Sequence, residues 1–444
     1  HGRSRRAIQD FSQIIIKIGN YQMNKKIGNI FKGDKVIWMV FFFLCMISII
    51  EVYSASSSLT YKSGNYMKPV IRHIGFIIFG IFTMICMLKV KCKYFKIATP
   101  FMLAISLIML IWVLIAGQAT NGASRWVNFI GFQFQPSEFA KGAVILAVAQ
   151  ILSAMQTENG ADKRALKYII VASSIFILLI GLENLSTAML LCLTIFFMMI
   201  IGRIPKAQLG KLLGLAIASG AIVIAMVMLV GKDKNQSTGN NTLTENIKKE
   251  EKEPGSIEKL FHRADTWKSR IDKFLDHKDV APEDVDLDKD AQVAHANIAI
   301  ASSNIVGKGP GNSVERDFLS QAFSDFIYAI IIEEMGITGA VFVAFLYIIL
   351  LYRVGSIANR CENNFPAFLA MGLAILLVTQ ALFNMLVAVG LAPVTGQPLP
   401  LISRGGTSTV INCLYVGIIL SISRSAKKKD ECNTEANTSK LATA

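Results

Sequence analysis

The sequence predicts an all-α polytopic membrane protein: ten transmembrane helices, both termini cytoplasmic, and a large extracytoplasmic loop between helices 7 and 8. Three observations predict it. Composition is the first: 53% of the 444 residues are apolar, 17% are charged, and mean hydropathy is +0.48. The second is the length of apolar runs such as VIWMVFFFLCMISII from Val36, since about 20 residues at 1.5 Å rise cross a hydrocarbon core about 30 Å thick. The third is an alternation of basic and charge-poor loops. That alternation also explains the net charge of +14; no DNA- or RNA-binding motif accompanies it.

Along the chain, residues 1–35 form a cytoplasmic tail. Residues 1–22 read as non-native or over-extended, because MNKKIGNIFKGDK from Met23 has the form of a natural basic start. The first span, 36–57, lacks a small-residue cleavage site and is therefore retained, not a signal peptide. Further spans follow at 69–88, 97–116, 137–156, 166–182, 185–202, 208–231, 322–352, 366–391 and 405–423. Basic residues mark one side: Lys25, Lys26, Lys32 and Lys35; Lys89, Lys91, Lys93 and Lys96; Lys163, Arg164 and Lys167; Arg203, Lys206 and Lys211; Arg353 and Arg360; Arg424 with Lys427, Lys428 and Lys429. These are the N-terminal tail, every second loop and the C-terminal tail 425–444, so an even number of spans places both termini inside. Residues 36–424 form one transmembrane domain, extracytoplasmic loop 232–321 included. The loop starts polar and low in complexity, where a mobile segment is expected. SIEKLFHRADTWKSRIDKFLDH from Ser256 then spaces apolar residues as an amphipathic helix would, near the outer surface. None of the seven cysteines falls in an outside loop, so no disulfide framework is implied. The five histidines make no zinc-site spacing.

Three outward-facing regions carry more polar detail than a bundle needs. In NGASRWVNFIGFQFQPSEFAKG, Pro136 and Ser137 signal a helix start with Ser137 as cap. Glu138 and Lys141 sit three apart and can pair, with Arg125 and Trp126 at the same surface. A capped helix end with an internal ion pair explains Glu138 and Trp126 equally well. In the second region, GKGPGNS leads to Asp325 at the mouth of span eight. Its backbone amides suit an anion, although glycine loops also simply turn chains. On a continuous helix Glu333 and Glu334 would lie about 12–13 Å deeper than Asp325 and on different faces, with separate partners. The third region, GLAPVTGQPLPLISRGGTST, is a stiff re-entrant turn, tolerated at membrane depth only against protein or a water-filled cavity. Ser403, Arg404 and Thr407 add donors to it.

Taken in order, VYSAS (52–56), NGASRW (121–126), FQPSEFAK (134–141), GKGPGNS (307–313), SDFIYAIIIEEMG (324–336) and PVTGQPLPLISRGGTS (393–408) resemble the SEDS family of shape, elongation, division and sporulation proteins (FtsW/RodA/SpoVE-like) over nearly all of 36–424. Gln380 and Asn384 also match family positions. The resemblance implies a ten-helix peptidoglycan glycosyltransferase that polymerises lipid II on the outer face of the bacterial cytoplasmic membrane. Its expected partners are a class B penicillin-binding protein and other division or elongation proteins. The family's essential aspartate maps onto Asp325. The basic, polar tails favour an FtsW-like over a RodA-like role. The chain departs from the family where LSQAFSDF replaces the usual LPEAHTDF, where ENLSTA replaces PDLGT, and where RGG replaces YGG.

This family chemistry suits the residue types. A single carboxylate, Asp325, can deprotonate the acceptor hydroxyl. Cations meet the charge on the departing pyrophosphate: Arg125, Lys141 and Arg404 are candidates, a magnesium or manganese ion another. Gln135, Glu138, Lys308, Ser403 and Thr407 complete the expected substrate-binding set. Glu333, Glu334, Gln380 and Asn384 are expected to line the cavity or to be structural polar groups, Glu333 the better of the two glutamates for the lining. Two competing readings stand beside the polymerase: a lipid II flippase, suggested by intramembrane Glu183, Glu333 and Glu334, and a non-catalytic scaffold of the wall-synthesis complex.

Overall fold

The computed structural model describes residues 32–55, 67–116, 118–120, 123–129, 132–158, 160–230, 291–319 and 323–442. The expected segments at 1–22 and 256–277 lie outside them. The helices are α1 (Lys35–Ala55), α2 (Met67–Lys89), α3 (Cys92–Ala116), α4 (Pro136–Ala154), α5 (Arg164–Glu183), α6 (Leu185–Ile201), α7 (Lys206–Val230), α8 (Ala291–Ala301), α9 (Ile327–Asn359), α10 (Asn364–Ala388) and α11 (Thr407–Ala442). Among the described residues eight helices are long and apolar enough to cross a membrane, and α6 is a shorter apolar helix. The protein is an all-α polytopic membrane protein in this coarse sense. The backbone of α11 stays helical well past the expected end of its span, Ser423.

Helices α4, α10 and α11 form the interior, and α2, α3 and α5 turn apolar side chains outwards. Small residues let the inner helices approach, as expected where packing rather than water drives association. A Cβ on Gly142 would lie 2.6 Å from the Tyr415 ring, and one on Gly372 would lie 2.7 Å from Met198 Sδ. On the outside, Phe101 and Ile115 are 68% and 82% exposed, as lipid-facing positions should be.

Two local features depart from expectation. The outward-facing residues between α3 and α4, for which no strands were expected, form a small antiparallel sheet of β1 (Gln118–Thr120), β2 (Ala123–Phe129) and β3 (Phe132–Phe134), in the order β1-β2-β3. Trp126 pairs with Gln118 and Val127 with Phe134. The register shifts between Gln118 and Ala119, so Arg125 is the extra residue of a bulge. The helix that follows starts at Pro136 with Gln135 in the cap position, so Ser137 is not the cap. Proline suits the first helical position because the amide it lacks would have no helical partner. The Ser137 hydroxyl instead accepts a bond from Gln135 Nε2 at 3.1 Å.

The larger departure is in α9, expected as one continuous span. Gly336 adopts φ 70°, ψ −174° and breaks it into Ile327–Met335 and Ile337–Asn359. Tyr328 donates its hydroxyl to the Ala340 carbonyl at 3.1 Å. Residues 12 apart would be about 18 Å apart along one helix, so the two halves fold back on each other. The longer half spans the bilayer by itself at about 34 Å. The shorter half turns back along it, with the turn at Gly336.

Candidate active site

Helix α1 calibrates depth in the site. Asp34, just before its first turn, pairs with Arg353 near the end of α9 (Nη2–Oδ2 2.7 Å). At the opposite end Ser54 donates to Glu334. Two turns lower, Ser48 donates to the Ile402 carbonyl at 2.6 Å and meets His73 Nε2 at 2.8 Å. Ile402 adjoins Ser403, which bonds Ser324. Ser48 and Ser54 are six residues apart, so the Asp325 region lies about 9 Å nearer the Asp34 end of α1 than Glu334 does. The expected order is reversed: the glutamates stand at the apex and Asp325 at the foot.

Asp325 precedes the helix, whose cap is Phe326, so no helical ladder sets its backbone. The bonds come from elsewhere. Arg404 N donates to Phe323 O at 2.9 Å, Ser403 Oγ to Ser324 O at 2.6 Å, and Asn384 Nδ2 to Asp325 O at 2.8 Å. Ser324 Oγ donates to Asp325 Oδ1 at 3.0 Å. The re-entrant segment 389–406 that supplies Ser403 and Arg404 is itself stiffened. Leu399 N donates to Ser403 Oγ at 2.7 Å, Tyr347 donates its hydroxyl to Pro400 O, and Leu401 is held at φ 67°. A non-glycine residue in that conformation costs about 1–3 kcal/mol and persists only where its surroundings over-determine it.

Below the site lies a buried polar chain. Lys141, wholly shielded from solvent, donates to Glu138 Oε1 at 2.8 Å and Gln380 Oε1 at 2.9 Å. Gln380 Nε2 donates to Pro398 O at 3.1 Å, so the ion pair expected from the i, i+3 spacing also ties α4 to α10 and to the re-entrant segment. One turn along α10, Asn384 Nδ2 reaches Gln397 O at 2.7 Å as well as Asp325 O. Gln397 Nε2 continues to Thr187 Oγ1 on α6 at 2.7 Å.

The glycine loop does cradle anions, and they are the chain's own. Glu333 receives Lys308 Nζ at 2.6 Å, Val314 N at 3.0 Å and the Ser313 hydroxyl. Glu334 receives Gly311 N at 3.0 Å, Ser313 N at 3.3 Å and the Ser54 hydroxyl, with Arg316 Nη1 3.8 Å away. Both carboxylates are fully buried and share this one loop, through Ser313, instead of having separate partners. The break at Gly336 lets one loop reach both. The fit is close: a Cβ on Gly307 would lie 2.3 Å from Gly336 N.

Outside this interior runs an apolar groove of about 1100 Å³, lined by Gly75, Phe76 and Phe79 of α2, Trp112 of α3, Phe134 of β3 and Val410 of α11. Arg72 also lines it, close enough to Arg404 for their charges to repel. Arg404 lies over the Phe323 ring at 5.0 Å. Thr407 Oγ1 donates to Gln133 O at 2.9 Å and fixes α11 to the sheet edge. Among the described residues no group of three or more His, Cys, Asp or Glu could hold a metal ion.

The model of the FtsW/RodA/SpoVE family, described as cell cycle protein, matches residues 34–428. The chain belongs to that family. It is similar to a probable peptidoglycan glycosyltransferase FtsW of Geobacter metallireducens, 28% identical over 92% of this chain and 98% of the relative. The peptidoglycan glycosyltransferase MrdB of Escherichia coli K12 is 26% identical over 88% and 93%. Among solved structures, the rod shape determining protein RodA of Thermus thermophilus superposes with TM-score 0.58 at 20% identity, covering 89% of this chain and 98% of that one. A chain from a study of polymerisation and crosslinking by a peptidoglycan synthase complex superposes at 0.64, also at 20% identity, over 89% and 98%.

Within this member of the FtsW/RodA/SpoVE family, Asp325, Ser403, Arg404 and Asn384 come together directly, with Gln380, Lys141 and Glu138 one layer beneath. Lys308, Glu333 and Glu334 form the separate apex cluster. Gln135 and Thr407 mark where α4 and α11 meet the sheet. Arg125 is placed by its backbone in β2. Sequence reasoning passed over Arg72, Arg316 and Gln397. The signal for Arg72 was a cation within an otherwise apolar span; the contacts of Arg316 with Ser54 and of Gln397 with Thr187 join residues more than 200 apart and leave no local signal.

Proposed function

We infer that the chain is a peptidoglycan glycosyltransferase that polymerises lipid II into glycan strands, with Asp325 as the general base. One observation carries the reading. A carboxylate fixed at the foot of a half-helix stands in the same layer as the Arg404 guanidinium, beside an apolar groove of about 1100 Å³ that suits a polyprenyl chain. Asp325 takes the proton from the acceptor sugar hydroxyl as that oxygen attacks the donor's anomeric carbon. The anomeric C–O bond to the diphosphate breaks, and the undecaprenyl diphosphate leaves with the electron pair. Arg404 and Arg72 meet its charge, with Arg125 a further cation from β2. Direct displacement inverts the anomeric configuration. Any magnesium or manganese ion would come on the substrate's diphosphate. Lys141 is occupied by Glu138 and Gln380 and serves the reaction by holding the floor of the site.

The same reading places ten spans in the cytoplasmic membrane of a bacterium, both termini inside and the site opening outwards. The Lys308 loop then lies outside, and Asp34 and Arg353 inside. A class B penicillin-binding protein is the proposed partner, in a division or elongation complex. The test is polymerisation of lipid II in detergent by the purified protein with that partner. Glycan strands from the wild type and none from Asp325→Ala support the reading; equal strands from both remove Asp325 from catalysis.

A further inference from the structure

Asp325 lies outside the helix it introduces, and three successive carbonyls before that helix each accept a hydrogen bond from a residue distant in sequence. Phe323 O is held by a backbone amide, Arg404 N (2.9 Å), but Ser324 O and Asp325 O are held by side chains, Ser403 Oγ (2.6 Å) and Asn384 Nδ2 (2.8 Å). We propose that Asn384 and Ser403 are positioning residues: together they set the place and direction of the Asp325 carboxylate by pinning the backbone on which it stands. The proposal rests on the reading of Asp325 as the base.

The chemistry of the two groups makes each hard to replace. Both partners of the Asn384 amide, Asp325 O and Gln397 O, are carbonyl oxygens. Only an NH2 can face them, so the amide orientation is fixed and both its protons are used. An aspartate of the same shape would set oxygen against two carbonyls at hydrogen-bond distance. Ser403 donates to Ser324 O while accepting Leu399 N at 2.7 Å; a threonine keeps both bonds and an alanine loses both. The two residues are also anchored independently of Asp325. Asn384 connects through Gln397 to Thr187 on α6, and Ser403 stands in the segment buttressed by Ser48 at Ile402 O. The tripeptide is therefore held against two rigid bodies, as a pre-organised base requires.

Steady-state polymerisation of lipid II by the full chain with its partner tests this, using Ser403→Ala, Ser403→Thr and Asn384→Asp beside Asp325→Ala. A displaced base loses turnover and not substrate affinity. We expect kcat to fall on the order of 10- to 100-fold in Ser403→Ala and Asn384→Asp, with KM within about twofold of wild type. Ser403→Thr should restore most of the rate. Ser403→Ala is the variant on which the outcome turns, because a lost hydroxyl leaves the fold intact where Asn384→Asp can disturb it. A raised KM with unchanged kcat in Ser403→Ala would mean that Ser403 touches substrate, and overturns the proposal. So does wild-type kcat in Ser403→Ala while Asp325→Ala is inactive. Full activity of Asp325→Ala overturns the base assignment itself, a different result on a different variant.

Discussion

At the scale of single residues, the buried polar groups decide how much each substitution costs. Lys141 is fully enclosed, and its charge is met by Glu138 and by the Gln380 carbonyl oxygen. Removing one member of such a pair leaves the other charge buried and costs about 3–5 kcal/mol, whereas replacing both with apolar residues is far milder. Lys141→Met should therefore lower the melting temperature in detergent sharply, and Lys141→Met with Glu138→Leu should recover much of the loss. A double variant no more stable than the single one would show that the pair does more than cancel itself. Glu51 is the opposite case. Both its carboxyl oxygens are buried without a hydrogen-bond partner among the described residues, and an ionised group so placed costs several kcal/mol. Glu51→Gln keeps the shape without the charge, and the melting temperature should hold or rise. The Glu138–Lys141 pair was legible in the sequence because helix geometry alone brings i and i+3 together. Its link to Gln380 was not, because 239 residues separate them.

At the scale of elements, the break in α9 is the feature on which the site depends. Gly336 has a left-handed φ, and a Cβ there would lie 2.3 Å from Ile305 O. Gly336→Ala combines backbone strain with a collision against a backbone atom that has nowhere to go. It should detach the 307–316 loop from Glu333 and Glu334 and abolish polymerisation, and hydrogen exchange of the loop amides would report the detachment. Protection equal to wild type in that loop would contradict this account. The apolar run from Phe323 predicts helix correctly, but hydropathy is blind to direction and reads two antiparallel halves as one long span. One glycine carries the difference, and its φ follows from the close approach of residues 305–307, which local sequence does not announce. The small sheet escaped for a related reason: strands of 3 and 7 residues give too short a period for alternation to be told from a polar loop.

At the scale of the whole molecule, the apolar groove and the Asp34–Arg353 pair make separate predictions. Gly75 lines the groove, and a Cβ there meets nothing within 4 Å. Gly75→Leu should leave the melting temperature unchanged or raised, since leucine favours helix over glycine by about 1 kcal/mol. It should also raise KM for lipid II by filling the channel for the tail; an unchanged KM would place the tail elsewhere. On the opposite side, burial raises the Asp34 carboxyl, but the Arg353 bond and the amides of Ile37 and Val36 outweigh it and leave it below its ordinary value of 3.8. A depressed carboxylate stabilises above the ordinary value and loses that contribution as pH falls through the lower, folded one. Arg353→Ala should cost about 1 kcal/mol near neutrality, the modest worth of a partly exposed pair, and progressively less as the medium is acidified below pH 3.8. The fold-back of α9 carries one more consequence, for the order of biosynthesis. The groups that pin Phe323, Ser324 and Asp325 come from Asn384, Ser403 and Arg404, all made after them. A nascent chain with α9 already threaded into the membrane still has its carboxylate unanchored. On the reading of Asp325 as the base, a chain truncated before Asn384 is expected to reach the membrane yet make no glycan strands.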